Sequence, residues 1–241
     1  MSASASESAS LRKSAPTSVL GRIFASSIGQ KAVMAVTGIA LSGFVLLHML
    51  GNLAAFQGAN AQGVHALDAY GALLRQVPAA LWTMRIGLLV AVALHIWAYL
   101  ALTRTSMAAR PAGYSKTDYR EATYASRTMR WTGPLLAAFI VFHIGDLTTG
   151  TFNPGFEEGA VYRNLLASLQ RGGVAAFYLI AMGALALHLW HGIWSLFQTL
   201  GMSQPRHQSL GRRVATVFTL VVVLGFALVP VAILFGMLRP L

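Results

Sequence analysis

Five long runs of apolar residues alternate with shorter polar stretches along the chain. The runs cover residues 32–55, 81–103, 131–150, 174–199 and 214–237, which we call spans 1 to 5. About 20 apolar residues in an α-helix cross the hydrocarbon core of a bilayer. Because a lipid-facing backbone must satisfy its own hydrogen bonds, each run predicts a membrane-spanning helix. The predicted fold class is an all-α membrane protein, a bundle of five transmembrane helices.

Composition supports this prediction. Hydrophobic residues make up 56% of the 241 residues, charged residues only 10%, and the mean hydropathy is +0.60. A soluble domain typically carries about 25% charged residues. The chain has no cysteine, which excludes disulfides, cysteine-ligated zinc and iron–sulfur clusters held by this chain. The Ser/Ala-rich residues 1–20 are predicted to form a disordered cytoplasmic tail, followed by a transmembrane domain at 21–241.

The basic residues lie mainly on one side of such a bundle. Most of the 18 Lys and Arg residues fall before residue 32, between 104 and 130, or between 206 and 213. The positive-inside rule makes this side cytoplasmic, so the N-terminus is predicted inside and the C-terminus outside, in the inner (cytoplasmic) membrane of a cell. The net charge of +11 therefore indicates topology and a docking surface for a soluble partner, and no nucleic-acid site.

A helix pair is repeated in the sequence. Spans 1 and 3 share the pattern T-G-x-x-L-x-x-F-x-x-x-H at 37–48 and 132–143. Spans 2 and 4 share ALHIW at 93–97 and ALHLW at 186–190. The repeat places one histidine on each of the first four spans and makes His188, and not His191, the counterpart of His95.

Four intramembrane histidines indicate a function, because polar groups in a bilayer are costly. Their positions predict two pairs at two depths: His48 with His143 (the outer pair) and His95 with His188 (the inner pair). Two facing imidazoles suit the axial positions of a haem iron, so two stacked haems between the first four spans are predicted. Zinc would need four ligands at one point, and a proton path would need a chain of carboxylates. A plain helix–helix hydrogen bond remains the alternative for any single histidine.

Other polar residues have weaker assignments. His191 is predicted to have a structural or supporting role, and His65 and His207 are predicted to lie in solvated loops. Haem propionates require cations or hydrogen-bond donors at the membrane edges, although snorkelling and topology explain each such cation better than a propionate contact does. The candidate cations are Lys31, Arg127 and Arg130 for the inner haem and Arg85 for the outer haem.

The segments SIGQKAVMAVTGIALSGFVLLHMLGN (27–52), FIVFHIGD (139–146) and HLWHGIWSLFQTLG (188–201) resemble the di-haem cytochrome b membrane anchor of succinate dehydrogenases and fumarate reductases, the complex II family. The resemblance covers about residues 20–238. It implies two b haems, with His48 and His143 as axial ligands of the outer haem iron and His95 and His188 of the inner one. It further implies a cytoplasmic iron–sulfur subunit, a flavoprotein subunit with covalent FAD, and electron exchange with a quinone, menaquinone being the family-level expectation.

The resemblance also implies a quinone site near the outer haem, with a protonatable group to manage the two protons. No motif identifies it. The candidates by position are Asp146, three residues after His143, and four residues of the outer loop between spans 1 and 2. These four are His65, Asp68, Tyr70 and Arg75.

Two other functions fit parts of the pattern. A di-haem cytochrome b can serve a hydrogenase or a formate dehydrogenase, and the helix repeat does not distinguish these partners. A transporter or non-redox scaffold would use the histidines for packing or proton passage. In the complex II interpretation, this chain alone has no dehydrogenase activity and contributes quinone reactivity to the complex.

Overall fold

The computed structural model describes residues 18, 21, 24–108, 124–202 and 204–240, and it is all-helical in these parts. The helices are α1 Ser27–Asn52, α2 Ala66–Arg75, α3 Pro78–Ala108, α4 Tyr124–Leu147, α5 Val161–Leu169, α6 Gly172–Thr199 and α7 Pro205–Leu234, with a 3-10 helix at Leu53–Phe56. The described residues contain no β-strand, so the all-α prediction is confirmed for them. Most of the predicted tail and the basic stretch 109–123 lie outside the described residues, as do the side chains of 124–127 and 205–207.

Four helical segments in the described parts are long and apolar enough to cross a membrane. They are Ser27–Phe56, Pro78–Ala108, Gly172–Thr199 and Gln208–Leu234, which correspond to spans 1, 2, 4 and 5. Span 3 is represented by α4, whose 24 residues extend about 36 Å. Arg130, Pro134 and Asp146 reduce the hydropathy of α4, so its length fits a bilayer better than its composition does. The count of five spans therefore stays a prediction.

Local sequence explains where several helices begin. The Ser26 hydroxyl caps α1 by accepting the Gly29 N–H at 3.0 Å. Proline occupies the first turn of α3, at Pro78, and of α7, at Pro205. Because an N–H at this position has no partner within the helix, proline costs nothing there.

Some pairs of helices pack extensively and others do not. The most extensive contacts join α6 with α7, α1 with α3 and α4 with α6. Among the described residues, neither α1 with α4 nor α3 with α6 forms such an extensive contact. These two helix pairs carry the outer and the inner histidine pair, so each histidine pair joins two helices that make no extensive contact with each other.

The apolar core is concentrated at one end of the bundle. There, α2, α5 and their loops form a cap, which we define as residues 53–77 and 148–171. The buried cluster joins the cap to α6 and α7 through Ala55, Leu67, Tyr162, Leu165, Leu166, Leu169, Ala175, Tyr178, Val229 and Ile233. Elsewhere, large apolar side chains such as Leu47, Leu89 and Val217 are exposed, as lipid-facing positions require.

Candidate functional site

The outer pair lies close to the cap. The ring centres of His48 on α1 and His143 on α4 are 5.8 Å apart, with the ring planes at 82°. Aromatic rings surround them: Phe44 and Phe226 lie 5.3 and 5.8 Å from His48, and Phe139 lies 5.7 Å from His143. The two imidazoles therefore face each other between apolar walls.

The inner pair lies between α3 and α6, where the ring centres of His95 and His188 are 6.2 Å apart. The Thr37 hydroxyl lies 3.1 Å from Nδ1 of His95 and 2.7 Å from the carbonyl oxygen of Val33. Its single proton goes to that carbonyl, so Thr37 accepts a hydrogen bond from the His95 Nδ1–H. This arrangement leaves Nε2 of His95 with a free lone pair. Nδ1 of His188 is buried without a hydrogen-bond partner among the described residues.

Both pairs fit an iron bound between two imidazoles. Metal–imidazole bonds of about 2 Å on each side place the two ring centres roughly 6 Å apart. The helices that carry each pair, α1 with α4 and α3 with α6, make no extensive contact with each other among the described residues. Among the described residues, no three His, Cys, Asp or Glu side chains converge as a protein-ligated zinc site would require.

Asp146 lies in a buried network next to the outer pair. Its side chain is fully buried and pairs with Arg171, with 2.8 Å between Oδ1 and Nη2. Oδ2 accepts hydrogen bonds from the hydroxyls of Ser168 and of Tyr178, the latter at 2.9 Å. The Tyr178 oxygen lies 3.2 Å from Nδ1 of His143. Sequence reasoning missed Ser168, Arg171 and Tyr178, because nothing local distinguishes them.

His65 and Asp68 stabilise the cap. The prediction of a solvated His65 is wrong, since only 2% of the residue is exposed and its ring stacks on Tyr162 at 3.6 Å. Nδ1 of His65 accepts the Leu67 N–H at 3.1 Å and so caps α2. Oδ1 of Asp68 accepts the Tyr162 N–H at 2.8 Å, in the first turn of α5. His65 and Asp68, two of the quinone candidates, thus use their side chains in contacts that hold the cap together.

We expect the cap to loosen below about pH 6.5, the ordinary pKa of histidine. Burial lowers the pKa of His65, and the Asp68 carboxylate offsets only part of this effect. The unfolded cap therefore binds more protons than the folded one, so the stabilisation is complete above pH 6.5 and is lost as pH falls towards the lowered pKa. Hydrogen exchange at Leu67 and its neighbours, corrected for intrinsic rates, is expected to speed up by at most about tenfold per pH unit.

His65→Asn is the control for this experiment. Asparagine caps a helix well and does not titrate in this range. The variant is expected to remove the pH dependence while keeping the cap closed. An equally steep acid response in His65→Asn would assign the effect to another group.

Tyr70 and Arg75 occupy different environments on α2. The Tyr70 ring lies against α1 at Gly51, where an added Cβ would come within 2.6 Å of the ring. Tyr70 also lines an open groove of about 480 Å³, together with Leu47, Leu50, Gly51, Ala54, Gln57 and Ala66. Arg75 is exposed in the last turn of α2. Of the five quinone candidates, only Tyr70 lines this groove.

The candidate propionate cations lie at helix ends or surfaces. Lys31 and Arg130 are exposed, and the guanidinium of half-buried Arg85 stacks over the Trp82 ring at 5.1 Å. The Arg127 side chain, like that of His207, lies outside the described residues. His191 is half-buried, and its Nδ1 has no hydrogen-bond partner among the described residues.

Comparison with known proteins identifies a family. Residues 108–229, slightly more than half of the chain, match the family model of the succinate dehydrogenase/fumarate reductase transmembrane subunit. The matched region includes His143 and His188, whereas His48 and His95 precede it. No curated protein and no solved structure matches the chain. The chain therefore belongs to the family of succinate dehydrogenase/fumarate reductase transmembrane subunits.

Proposed function

We propose that this membrane subunit binds two b haems, seats the iron–sulfur and flavoprotein subunits of its complex, and exchanges electrons with quinone. The observation that carries the proposal is the placement of the histidines. Each of two pairs joins two helices that do not pack extensively on each other, with ring centres 5.8 and 6.2 Å apart. Family membership independently supports a redox complex of this kind.

The chain's own residues have separate roles in this proposal. His48 and His143 ligate the outer haem, and His95 and His188 the inner one. Bound haem supplies a one-electron carrier whose potential depends on burial and on the hydrogen bonds of its ligands. Thr37 fixes the tautomer of His95, while Phe44, Phe139 and Phe226 keep water from the outer pair.

The proposed partner surface is the basic, cytoplasmic side. Lys31, Arg130 and Arg212 belong to it among the described side chains. The cap lies at the opposite end of the bundle, so in this proposal it faces the outer side. In this arrangement the inner pair would hold the haem nearer to the partner subunits and the outer pair the haem nearer to the cap, and the two bound haems would supply one-electron carriers between these ends.

The groove beside Tyr70 is our proposed quinone site. Its lining is mainly apolar, and the Tyr70 hydroxyl and the Gln57 amide offer hydrogen bonds, as a quinone headgroup on an apolar tail requires. It begins at Leu47, next to His48, so a quinone there lies near the outer pair. His65, Asp68 and Asp146 support the surrounding structure in this view.

Tyr70→Phe is expected to lower kcat/KM for quinone roughly tenfold, because one hydrogen bond to the headgroup is lost. Haem content and electron transfer from succinate to a soluble dye are expected to stay unchanged, since neither uses the groove. Gly51→Ala should have a similar effect by displacing the Tyr70 ring. Tyr99→Phe, on α3, is the matched control. Normal quinone turnover in both groove variants would exclude this groove.

The function itself is tested on the purified complex. A pyridine haemochrome assay is expected to give two b haems per chain, and the flavoprotein and iron–sulfur subunits should co-purify. Succinate should reduce both haems. A folded complex without haem would overturn the redox proposal, and co-purification of a hydrogenase or formate dehydrogenase would overturn the assignment of partners.

A further inference from the structure

A continuous chain of hydrogen bonds runs from the outer pair into the cap. It passes from His143 to Tyr178, from Tyr178 to Asp146, and from Asp146 to Ser168 and Arg171. Three helices contribute: α4 carries His143 and Asp146, α6 carries Tyr178, and Ser168 lies in α5. His143 of the outer pair is thus connected to the buried Asp146 carboxylate through the Tyr178 hydroxyl.

The acceptors fix the direction of these bonds. Tyr178 has one hydroxyl proton, and the Asp146 carboxylate, paired with Arg171, only accepts. The Tyr178 oxygen must then accept from His143, which requires the proton on Nδ1. Nε2 of His143 keeps its lone pair, which is the condition for binding iron.

We infer that Tyr178 and Asp146 are positioning residues for the outer haem, with Tyr178 orienting the His143 imidazole and Asp146 orienting Tyr178. The inference rests on the proposed haem function. It assigns Asp146 a role different from proton delivery to quinone: the residue is fully buried, and both of its oxygens are already bonded within the protein.

The two sites differ in their supporting bonds. In the outer pair, His143 donates to the Tyr178 hydroxyl, which itself donates to the Asp146 carboxylate. In the inner pair, His95 donates to the neutral Thr37 hydroxyl. Nδ1 of His188 has no hydrogen-bond partner among the described residues. A carboxylate behind the donor chain makes the imidazole a stronger electron donor, and this favours ferric over ferrous iron. The series of hydrogen bonds from His143 through Tyr178 to Asp146 therefore lowers the reduction potential of the outer haem.

Tyr178→Phe in the intact complex tests this inference. A redox titration followed by optical spectra resolves the two haems, and the outer haem is the one absent from His143→Ala. At a fixed ambient potential, the ferric-to-ferrous ratio of the outer haem is expected to fall about tenfold, an upward shift of about 59 mV for one electron. The inner haem is expected to titrate as before. Asp146→Asn should shift the outer haem in the same direction.

Two control variants separate positioning from general structure. Tyr162→Phe removes a cap hydroxyl that bonds the Arg239 carbonyl at 3.0 Å, and it should move neither potential. Thr37→Val should move only the inner haem. Selective loss of the outer haem in Tyr178→Phe also supports positioning. An unchanged outer potential, or an equal change of both haems, overturns the inference, whereas a wild-type complex without haem overturns the proposed function itself.

Discussion

His188→Ala is expected to reduce the haem content from two to one per chain, whereas His191→Ala is expected to leave both haems in place. The ring centre of His188 on α6 lies 6.2 Å from that of His95 on α3. His191 is one helical turn away and is not the counterpart of His95 in the helix repeat. An alanine at 188 removes one of the two protein ligands of the inner iron, and we expect this loss to prevent stable binding of the inner haem. The pyridine haemochrome assay measures the effect directly.

The remaining histidines provide an internal comparison. His95→Ala should lose the inner haem, as His188→Ala does. His48→Ala and His143→Ala should each lose the outer haem. Redox titration distinguishes the two haems in each variant. Loss of the inner haem in His191→Ala, with retention in His188→Ala, would contradict the pairing and the repeat on which it depends.

The pairing was accessible from the sequence because its signal is periodic. Thr, Gly and His recur at equal spacing in spans 1 and 3, and the helical rise then sets the depth of each histidine. The repeat is less complete in the structure than in the sequence. Thr37 bonds His95, but its counterpart Thr132 directs its hydroxyl to the Met129 sulfur at 3.8 Å, so His188 lacks the equivalent bond.

The cap could not be predicted, because its contacts join residues that are distant in sequence. The stack of His65 on Tyr162 and the bond from the Tyr162 N–H to Asp68 link the two segments of the cap, which share no motif. A histidine in a loop between two spans is typical of a solvated position, and tertiary burial overrode that expectation. Spacing after His143 singled out Asp146, but its partners Arg171 and Tyr178 became apparent only from the fold.

Arg171→Gln is expected to destabilise the cap by about 3 kcal/mol, because it leaves the Asp146 carboxylate buried without its counter-charge. Asp146 is fully buried, while Arg171 keeps 36% of its side chain exposed, so the cost falls at the low end for a broken buried pair. The guanidinium also donates to the Phe152 carbonyl at 2.8 Å, which ties the loop before α5 to the start of α6. Thermal unfolding of the complex in detergent, followed by circular dichroism, should show a lowered Tm.

Arg163→Gln is the matched control, because it breaks the ion pair of Arg163 with Glu157 in the same cap. Both side chains of that pair are more than half exposed, so water and salt already screen them and the expected loss is below about 1 kcal/mol. Adding Asp146→Asn to Arg171→Gln should recover part of the lost stability, since the amide no longer needs a counter-charge. If Arg171→Gln lowered Tm no more than Arg163→Gln, Asp146 would not carry a buried charge that needs Arg171, and the network behind His143 would lack the carboxylate that the outer site requires.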